Sequence, residues 1–334
     1  MVSGALAKPR AGAPLTERIL ERLPGPRLAW VLAWALVPWL NLAVVMAWDA
    51  ENWATTESTA AEVTNRGAVT FAVLLSLWGS ARISDQLRLL GPALVKVVER
   101  DEPAVNRLFH GIDSTLAPLL LTAAAVIVLP LDEALEGEPV AALIQAATWL
   151  VIGIPLGTAV WVYLTLQVGL IRLGRCHLTL DAYRGDRSLG LRPVGRLAFT
   201  GFWLLFGSVS PLVVTSMSDL PGTIMGITVL VAGVVVFFLS LRRLNRQMVA
   251  VKQRELERAL ALYREAYQPI HDEPTLAVLQ QQVGLLSAAE ALEKRVERIQ
   301  QWPFDEATFA NVVTIASSVA AVIIARLILD PVGL

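Results

Sequence analysis

Apolar residues in this chain fall into long uninterrupted runs, and short polar or charged segments separate one run from the next. A helix needs about 20 apolar residues to cross the roughly 30 Å hydrocarbon core of a bilayer, and most of the runs have about that length. The pattern therefore predicts an all-α fold, an integral membrane helical bundle with seven transmembrane helices. The predicted spans are residues 28–48, 66–81, 115–131, 140–171, 197–217, 223–241 and 307–329.

Basic residues are distributed unevenly between the segments that join these spans. Segments 82–114, 172–196 and 242–306 are rich in Lys and Arg, whereas segment 132–139 contains acidic residues and no basic one. Because Lys and Arg are enriched in cytoplasmic loops, the chain is predicted to begin in the cytoplasm and to end outside it. The same contrast supports the second span, which is the shortest of the seven.

The sixth span continues without a helix-breaking residue into a charged helical run, and a second charged run (275–300) leads back to the last span. Both runs carry apolar residues at spacings of three and four, which is typical of helices that pack along one face. The pattern predicts a cytoplasmic helical hairpin over 242–306. Its two apolar faces either pack on each other or form contacts between subunits. The faces consist of Leu244, Met248, Val251, Leu256 and Leu260 in the first arm and of Leu276, Leu279, Val283, Leu286, Leu292, Val296 and Ile299 in the second.

Composition agrees with a membrane protein, because 55% of the residues are hydrophobic and only 17% are charged, which excludes an ordinary soluble domain. The first apolar run is too long for a secretory signal and lacks a small-residue cleavage site, so it is interpreted as a retained anchor. The expected location is the cell membrane, inner or plasma, with several passes. The predicted domains are a cytoplasmic N-terminal segment (1–27), a six-span bundle (28–241), the hairpin (242–306) and the final span (307–334).

No Asp, Glu, Lys, Arg or His lies in the middle of a predicted span. Charged groups at the bilayer centre normally mark proton relays, ion-coupling sites or voltage sensors. Their absence argues against a pump, a proton-driven antiporter and a voltage-sensor module. Passive pores, sensors and scaffolds remain.

The sequence offers no motif for catalysis, since it contains no phosphate-binding loop, nucleophile elbow or HExxH pair. Cys176, His177 and Asp181 provide three potential metal ligands without a fourth. We therefore expect no enzyme activity, no cofactor, no metal and no nucleic-acid partner. Cys176 is the one cysteine, so an internal disulfide is excluded.

The last span carries polar residues along one face, at Asn311, Thr314, Ser317 and Ser318. Hydroxyl and amide dipoles can line a water-filled pore, where they replace part of the hydration shell of an ion. Small residues also let helices pack closely, and that interpretation remains open for this face. The pair Gly153 and Gly157 is interpreted as a packing notch.

The segment between the fourth and fifth spans combines glycines with charged residues, among them Arg184, Asp186, Arg187 and Arg192. Arginines beside exposed backbone can bind an anion or a phosphorylated lipid headgroup. The alternative is a basic loop that Asp–Arg pairs hold together at the membrane surface.

Two motifs carry a resemblance. Residues 183–191, Tyr-Arg-Gly-Asp-Arg-Ser-Leu-Gly-Leu, resemble the Asp-Arg-x-Gly-Gly-Leu loop of a set of uncharacterised prokaryotic multi-pass membrane proteins, which have glycine at the position of Leu189. Those proteins also have a Trp-Pro-Phe-Asp turn before a final span, matched here by residues 302–305. The resemblance covers about the C-terminal half, implies a bacterial membrane protein and brings no known activity.

A second resemblance lies in the predicted architecture, which is similar to that of insect odorant and gustatory receptors. Those receptors are tetrameric ligand-gated cation channels in which the last span lines the pore and cytoplasmic helices form an anchor. The similarity implies a homo-oligomer, a tetramer by analogy, with Asn311, Thr314 and Ser318 facing the pore. The C-terminal Tyr-and-Gln motif of the insect proteins does not occur here.

These observations lead to two main hypotheses, and a third is a lipid-interacting membrane protein whose Arg-rich loop between the fourth and fifth spans holds headgroups. The first is an oligomeric ion channel in the lipid bilayer whose last span lines the pore, with cation conduction and ligand gating as the second resemblance implies. The alternative is a non-conducting membrane sensor or scaffold in which the segment 242–300 docks a cytoplasmic partner.

Overall fold

The computed structural model describes residues 13–48, 56–98, 105, 107–128, 139–180, 187–215, 220–272, 275–304, 310–314, 317–318 and 321. This part of the chain is almost entirely helical and contains no β-strand. Over the described residues the helices are α1 (Leu15–Arg22), α2 (Arg27–Trp48), α3 (Thr56–Val98), α4 (Leu116–Val128), α5 (Pro139–Leu173), α6 (Arg192–Thr215), α7 (Leu220–Asp272) and α8 (Leu276–Glu297).

Five helices in the described part of the chain are long and apolar enough to cross a membrane, judged by length and composition: Arg27–Ala47, Glu62–Pro92, Ala142–Leu173, Arg192–Val213 and Gly226–Asp272. They overlap the first, second, fourth, fifth and sixth predicted spans, and some of them extend beyond the predicted bounds. The third predicted span contains α4, which is apolar and is described over 13 residues. Most of the seventh, 307–329, lies outside the described residues, although residues 310–314 are helical.

Helix α3 is much longer than the predicted second span. The prediction ended the span at Arg66 and Arg82, because charged residues end an apolar run, whereas the helix continues over 43 residues. Arg, Gln and Glu are favourable helix formers, so a charge ends a hydrophobic run without ending the helix. The same property carries α7 through 53 residues, about 80 Å at 1.5 Å per residue, so the sixth span and the first charged run form one helix as expected.

The chain divides into two compact units. Unit 1 contains Met1–Leu89, Asn106–Leu170 and Leu197–Phe238, and unit 2 contains Leu90–Val105, Ile171–Arg196 and Leu239–Leu334.

In unit 1, helices α3 and α6 pack closely through small residues. The hydroxyl oxygens of Ser76 and Ser208 lie 2.8 Å apart. A Cβ on Gly79 would lie 2.6 Å from the Leu204 side chain, so glycine permits this approach. Residue numbers rise along α3 as they fall along α6, so the two helices are antiparallel.

The glycine pair of α5 packs against α4. A Cβ on Gly153 would lie 2.8 Å from the side chain of Thr122, and a Cβ on Gly157 would lie 2.9 Å from the carbonyl oxygen of Pro118. The predicted packing notch is therefore confirmed, and the order of contacts makes α4 and α5 antiparallel.

Two further pairs of helices in unit 1 run antiparallel. Helix α2 donates hydrogen bonds to α5 from Trp34 Nε1 to the Val151 carbonyl (2.9 Å) and from Asn41 Nδ2 to Thr148 Oγ1 (2.6 Å). Helices α6 and α7 meet where Gly226 contacts Val213 and Gly233 contacts Leu205. Large apolar side chains of α2 remain exposed at every fourth position: Leu28, Leu32, Leu36, Leu40 and Val44.

Helix α1 packs into unit 1 through its apolar side. Leu15 and Leu20 are buried, and Leu20 joins a core cluster with Val69 and Val73 of α3. On its polar side, Arg18 Nη2 donates a hydrogen bond to the Asp113 carbonyl at 2.6 Å. The N-terminal segment thus belongs to the helical unit from Ala13 onward.

In unit 2, helices α7 and α8 make polar contacts in antiparallel order. Tyr263 Oη donates to Glu293 Oε2 at 2.9 Å, and Lys252 Nζ donates to the Ile299 carbonyl at 2.9 Å. The buried apolar residues along this part of unit 2 are Leu244, Met248, Val251, Ala259, Ala266, Ala289, Val296 and Ile299.

The apolar faces predicted for 242–306 are covered only in part. Val296 and Ile299 are buried, but Leu276, Leu279 and Val283 are 74%, 41% and 56% exposed. In α7, likewise, Leu244 is buried and Leu260 is exposed. The predicted face of the second arm is not continuous, because the six residues from Leu286 to Leu292 turn the helix by about 240° and place the two halves of the series on different sides.

Candidate functional site

The polar residues predicted on the last span lie at the surface of the described chain. Asn311, Thr314, Ser317 and Ser318 are exposed, whereas Val312 between them is fully buried. Ser318 Oγ donates a hydrogen bond to the Thr314 carbonyl at 2.8 Å, so its oxygen can still accept a hydrogen bond from outside. The helix therefore presents neutral oxygen atoms on one side and buries a valine on another.

The exposed surface of this helix is broader than the predicted polar stripe. Val313 is 42% exposed, and Ala310 and Ala321 are exposed as well. A helix surface of this kind can contact water through its polar residues and a neighbouring helix through its apolar residues.

The basic loop is described in part. Arg187 and Arg192 are exposed, and Arg184 and Asp186 lie outside the described residues. Exposed guanidinium groups at these two positions are compatible with an anion or headgroup contact, and the predicted Asp–Arg pairing through Asp186 also falls outside the described chain.

The turn at the end of this loop has an unusual backbone. Leu189 has φ 54° and Gly190 has φ 85°, and the Leu191 amide donates to the Ser188 carbonyl at 2.9 Å. A left-handed conformation costs a residue other than glycine about 1–2 kcal/mol. Leu189 tolerates the conformation because its side chain is only 1% exposed and contributes about 1.5–3 kcal/mol by burial.

Sequence reasoning missed a set of contacts just before the last helix. The Gln300 amide donates to the Arg187 carbonyl at 2.9 Å, and a Cβ on Gly195 would lie 2.0 Å from the Pro303 carbonyl oxygen. The loop before α6 and the first turn of α6 therefore contact the segment just before the last helix. These contacts join residues more than 100 positions apart in the chain, and they leave no local signal in the sequence.

Helix α7 contacts the same segment from another direction. Asn245 Nδ2 donates to the Gln301 carbonyl at 2.8 Å, and Lys252 Nζ donates to the carbonyls of Glu297 (3.2 Å) and Ile299 (2.9 Å). A lysine at the last carbonyls of α8 also opposes the negative end of that helix. Residues 297–304, here called the junction segment, thus have hydrogen-bond partners on α7 and on the basic loop.

Two of the three potential metal ligands, Cys176 and His177, are described and have different environments, and Asp181 lies outside the described residues. Cys176 is buried with its Sγ 3.5 Å from the Arg172 carbonyl, whereas His177 is exposed. The Cys176 carbonyl accepts a hydrogen bond from Gln247 Nε2 at 3.1 Å, which connects the end of α5 with α7.

Comparisons with protein-family models, with curated proteins and with solved structures find no match for this chain.

Proposed function

We propose that the chain crosses the membrane seven times, with its N-terminus in the cytoplasm. Five helices of sufficient length and apolarity support this, together with α4, which is apolar throughout and antiparallel to α5. Alternating crossings require odd-numbered and even-numbered spans to run in opposite directions. This holds for the pairs in contact, which are α2 with α5, α3 with α6 and α6 with α7. The exposed leucines along α2 are suited to contact with lipid.

The distribution of charge supports the orientation. In this topology every Lys and Arg of the 28 lies on the cytoplasmic side except Arg66 and Arg326. A random arrangement of seven crossings would seldom separate charges so completely, and the bias has the direction of the positive-inside rule. The segment 242–306 then forms a cytoplasmic hairpin.

Its function is that of an oligomeric ion channel whose last span lines the pore. The observation that carries this proposal is the exposed face of Asn311, Thr314, Ser317 and Ser318 beside the buried Val312. A pore lined by neutral oxygen atoms conducts passively, which agrees with the lack of charges in the middle of the spans. One exposed face cannot enclose a pore, so several copies of the chain surround it, four by analogy with the insect receptors.

Cations are the expected permeant ions. Oxygen atoms of hydroxyl and amide groups offer lone pairs to a cation, and the acidic outer segments would raise the local cation concentration at the pore mouth. The ligand gating of the insect receptors is the corresponding expectation for opening.

The test is current through a planar bilayer that contains the purified protein under cation and anion gradients. The double variant Thr314→Val with Ser318→Ala removes two hydroxyls, at constant volume at Thr314 and without added volume at Ser318, and we expect a several-fold loss of conductance. Thr228→Val is the matched control, because Thr228 is also exposed and also donates to a carbonyl four residues earlier, that of Ile224. Unchanged single-channel conductance in the double variant would refute the pore assignment.

A second candidate function is a membrane scaffold, and a specific observation favours it. Apolar side chains remain exposed on α7 and α8: Leu256, Leu260, Tyr267, Leu276, Leu279 and Val283. An uncovered apolar surface among charged residues often marks a protein–protein contact. Two results together would favour the scaffold. The first is the absence of current in bilayers that contain folded, inserted protein. The second is a cytoplasmic protein that co-purifies with the full chain and no longer does so with the double variant Leu279→Ser and Val283→Ser.

A further inference from the structure

The junction segment has two polar contacts on one face of α7. Asn245 and Lys252 are seven residues apart, which is about two helical turns, so their side chains project from the same side of the helix. One donates to the Gln301 carbonyl and the other to the carbonyls of Glu297 and Ile299. The chain from the end of α8 to Gln301 therefore follows α7 over about two turns.

The opposite contact of the junction segment is with the beginning of α6 and the loop before it. The Gln300 amide donates to the Arg187 carbonyl at 2.9 Å. At Gly195 a Cβ would lie 2.0 Å from the Pro303 carbonyl oxygen and 3.1 Å from the Phe304 amide nitrogen. Since backbone lies against backbone at this point, no flexible side chain is available to move aside.

Aromatic packing fixes the last residues of the segment. The rings of Trp302 and Phe304 are stacked with centroids 5.7 Å apart and planes 17° apart, and Phe304 is 6% exposed. Pro303 between them is buried and has a restricted φ, so this turn has few accessible conformations. Residue 310, six positions after Phe304, is already in the last helix.

We infer that the junction segment, bound on one side by Asn245 and Lys252 and on the other by Arg187 and Gly195, positions the last helix and transmits movements of α7 and α8 to it. Asn245, Lys252 and Gly195 are positioning residues, since none of them lies on the exposed polar face. The inference rests on the proposed function, in which the last helix lines the pore, and it names the element through which the cytoplasmic helices would open or close that pore.

Two features of the contacts support transmission over simple stability. The donors on α7 bind backbone carbonyls, so displacement of α7 displaces the main chain of the segment and not only a side chain. In addition, Gly195 lies in the first turn of α6, where its amide donates to the Leu191 carbonyl at 3.0 Å. The segment is therefore in contact with regular helices on both sides, and helices move as rigid elements.

The test measures the position of the last helix without relying on current. In a Cys176→Ser background, which removes the one native thiol, Asn311→Cys supplies a single exposed thiol whose reaction rate with a water-soluble maleimide is measured in detergent and in proteoliposomes. We expect Gly195→Ala to change this rate several-fold. Gly284→Ala in α8 is the matched control and should leave the rate unchanged, because no atom lies within 4 Å of the added Cβ.

Asn245→Ala combined with Lys252→Met provides a second variant, for the case that Gly195→Ala fails to fold. These changes remove the hydrogen bonds from α7 without adding volume at the junction. A changed labelling rate in this variant, with unchanged elution volume on size exclusion, supports the inference, and a labelling rate equal to that of the control overturns it.

Single-channel current is recorded for the same proteins. Altered labelling without any current in the parent protein would retain the junction and reject the pore, whereas normal current with unaltered labelling and open probability would reject the junction and retain the pore.

Discussion

Glu17 and Arg27 form an ion pair of unequal exposure, with Arg27 Nη2 2.5 Å from Glu17 Oε1, and with 8% of the Glu17 side chain exposed against 52% of that of Arg27. Burial of the carboxyl removes water from its charged form, and this raises the pKa of Glu17. Arg27 acts in the opposite direction, whereas the nearby negative charges of Glu21 and Asp85 add to the increase. Folding therefore raises the pKa of Glu17 above its value in the unfolded chain.

This shift predicts a pH dependence of stability. Because the pKa of Glu17 is higher in the folded than in the unfolded chain, its contribution is fully present below the unfolded pKa and is lost as the pH rises through the folded pKa. We expect Glu17→Gln, which resembles the protonated form, to flatten the curve of thermal midpoint against pH on the side above the usual carboxyl range. The measurement is thermal unfolding in detergent over a pH series.

Glu290→Gln in α8 is the matched control for this experiment. Lys294 lowers the pKa of Glu290 by a hydrogen bond at 2.6 Å and by its charge, so the contribution of Glu290 is lost as the pH falls. The two variants should change the dependence of the thermal midpoint on pH in opposite directions. The effect of Glu290→Gln should be very small, because Glu290 and Lys294 are exposed. Identical profiles for Glu17→Gln and the parent protein would contradict the first prediction.

At Leu189 we expect substitution by glycine to lower the stability less than substitution by alanine, which is the reverse of the usual order. Leu189→Ala removes the buried side chain and retains the left-handed strain, whereas Leu189→Gly removes both. We expect both variants to be less stable than the parent, by about 2–5 kcal/mol for alanine. Glycine should be less damaging than alanine by about 1 kcal/mol, because it adopts positive φ without steric cost. Reversible unfolding in detergent measures the difference, and a glycine variant less stable than the alanine variant would show that the turn does not strain Leu189.

The contact between α4 and α5 can be tested at Gly157. An added Cβ would lie 2.9 Å from the Pro118 carbonyl oxygen, so Gly157→Ala should lower the stability by about 1–3 kcal/mol through overpacking. Gly67→Ala in α3 is the control, because its Cβ would meet no atom within 4 Å and alanine favours the helix. Equal thermal midpoints for the two variants would indicate that α4 does not pack on α5 at this position.

The apolar spans and the long α7 could be predicted from the sequence because both depend on local properties. The extension of α3 beyond Arg82 was less predictable, because helix ends depend on local capping and packing as much as on hydropathy. The polar face at Asn311 and Thr314 was visible as a periodic pattern, and its exposure agrees with either a pore or a subunit contact.

The junction was beyond sequence reasoning for a physical reason. Gly195 has no special backbone conformation and no local partner that distinguishes it from other glycines. Its requirement for a missing Cβ arises from Pro303, which is distant in the chain and near only after folding. Leu279 and Val296 were predicted to share one face, but their separation of 17 residues leaves them about 100° apart around a helix. One is exposed and the other is buried.

The spacing between Asn245 and Lys252 limits which changes of length the chain can accept. Inserting or deleting one residue between them would rotate one donor by about 100° around α7 and remove it from the carbonyls of the junction segment. Beyond Lys252, towards Asp272, the exposed Leu260 and Tyr267 show that much of the surface is uncovered, so a matched addition of seven residues to both α7 and α8 would preserve every contact at the junction. We therefore expect α7 and α8 to tolerate a change of length near Asp272 and Leu276, in steps of seven residues in both helices.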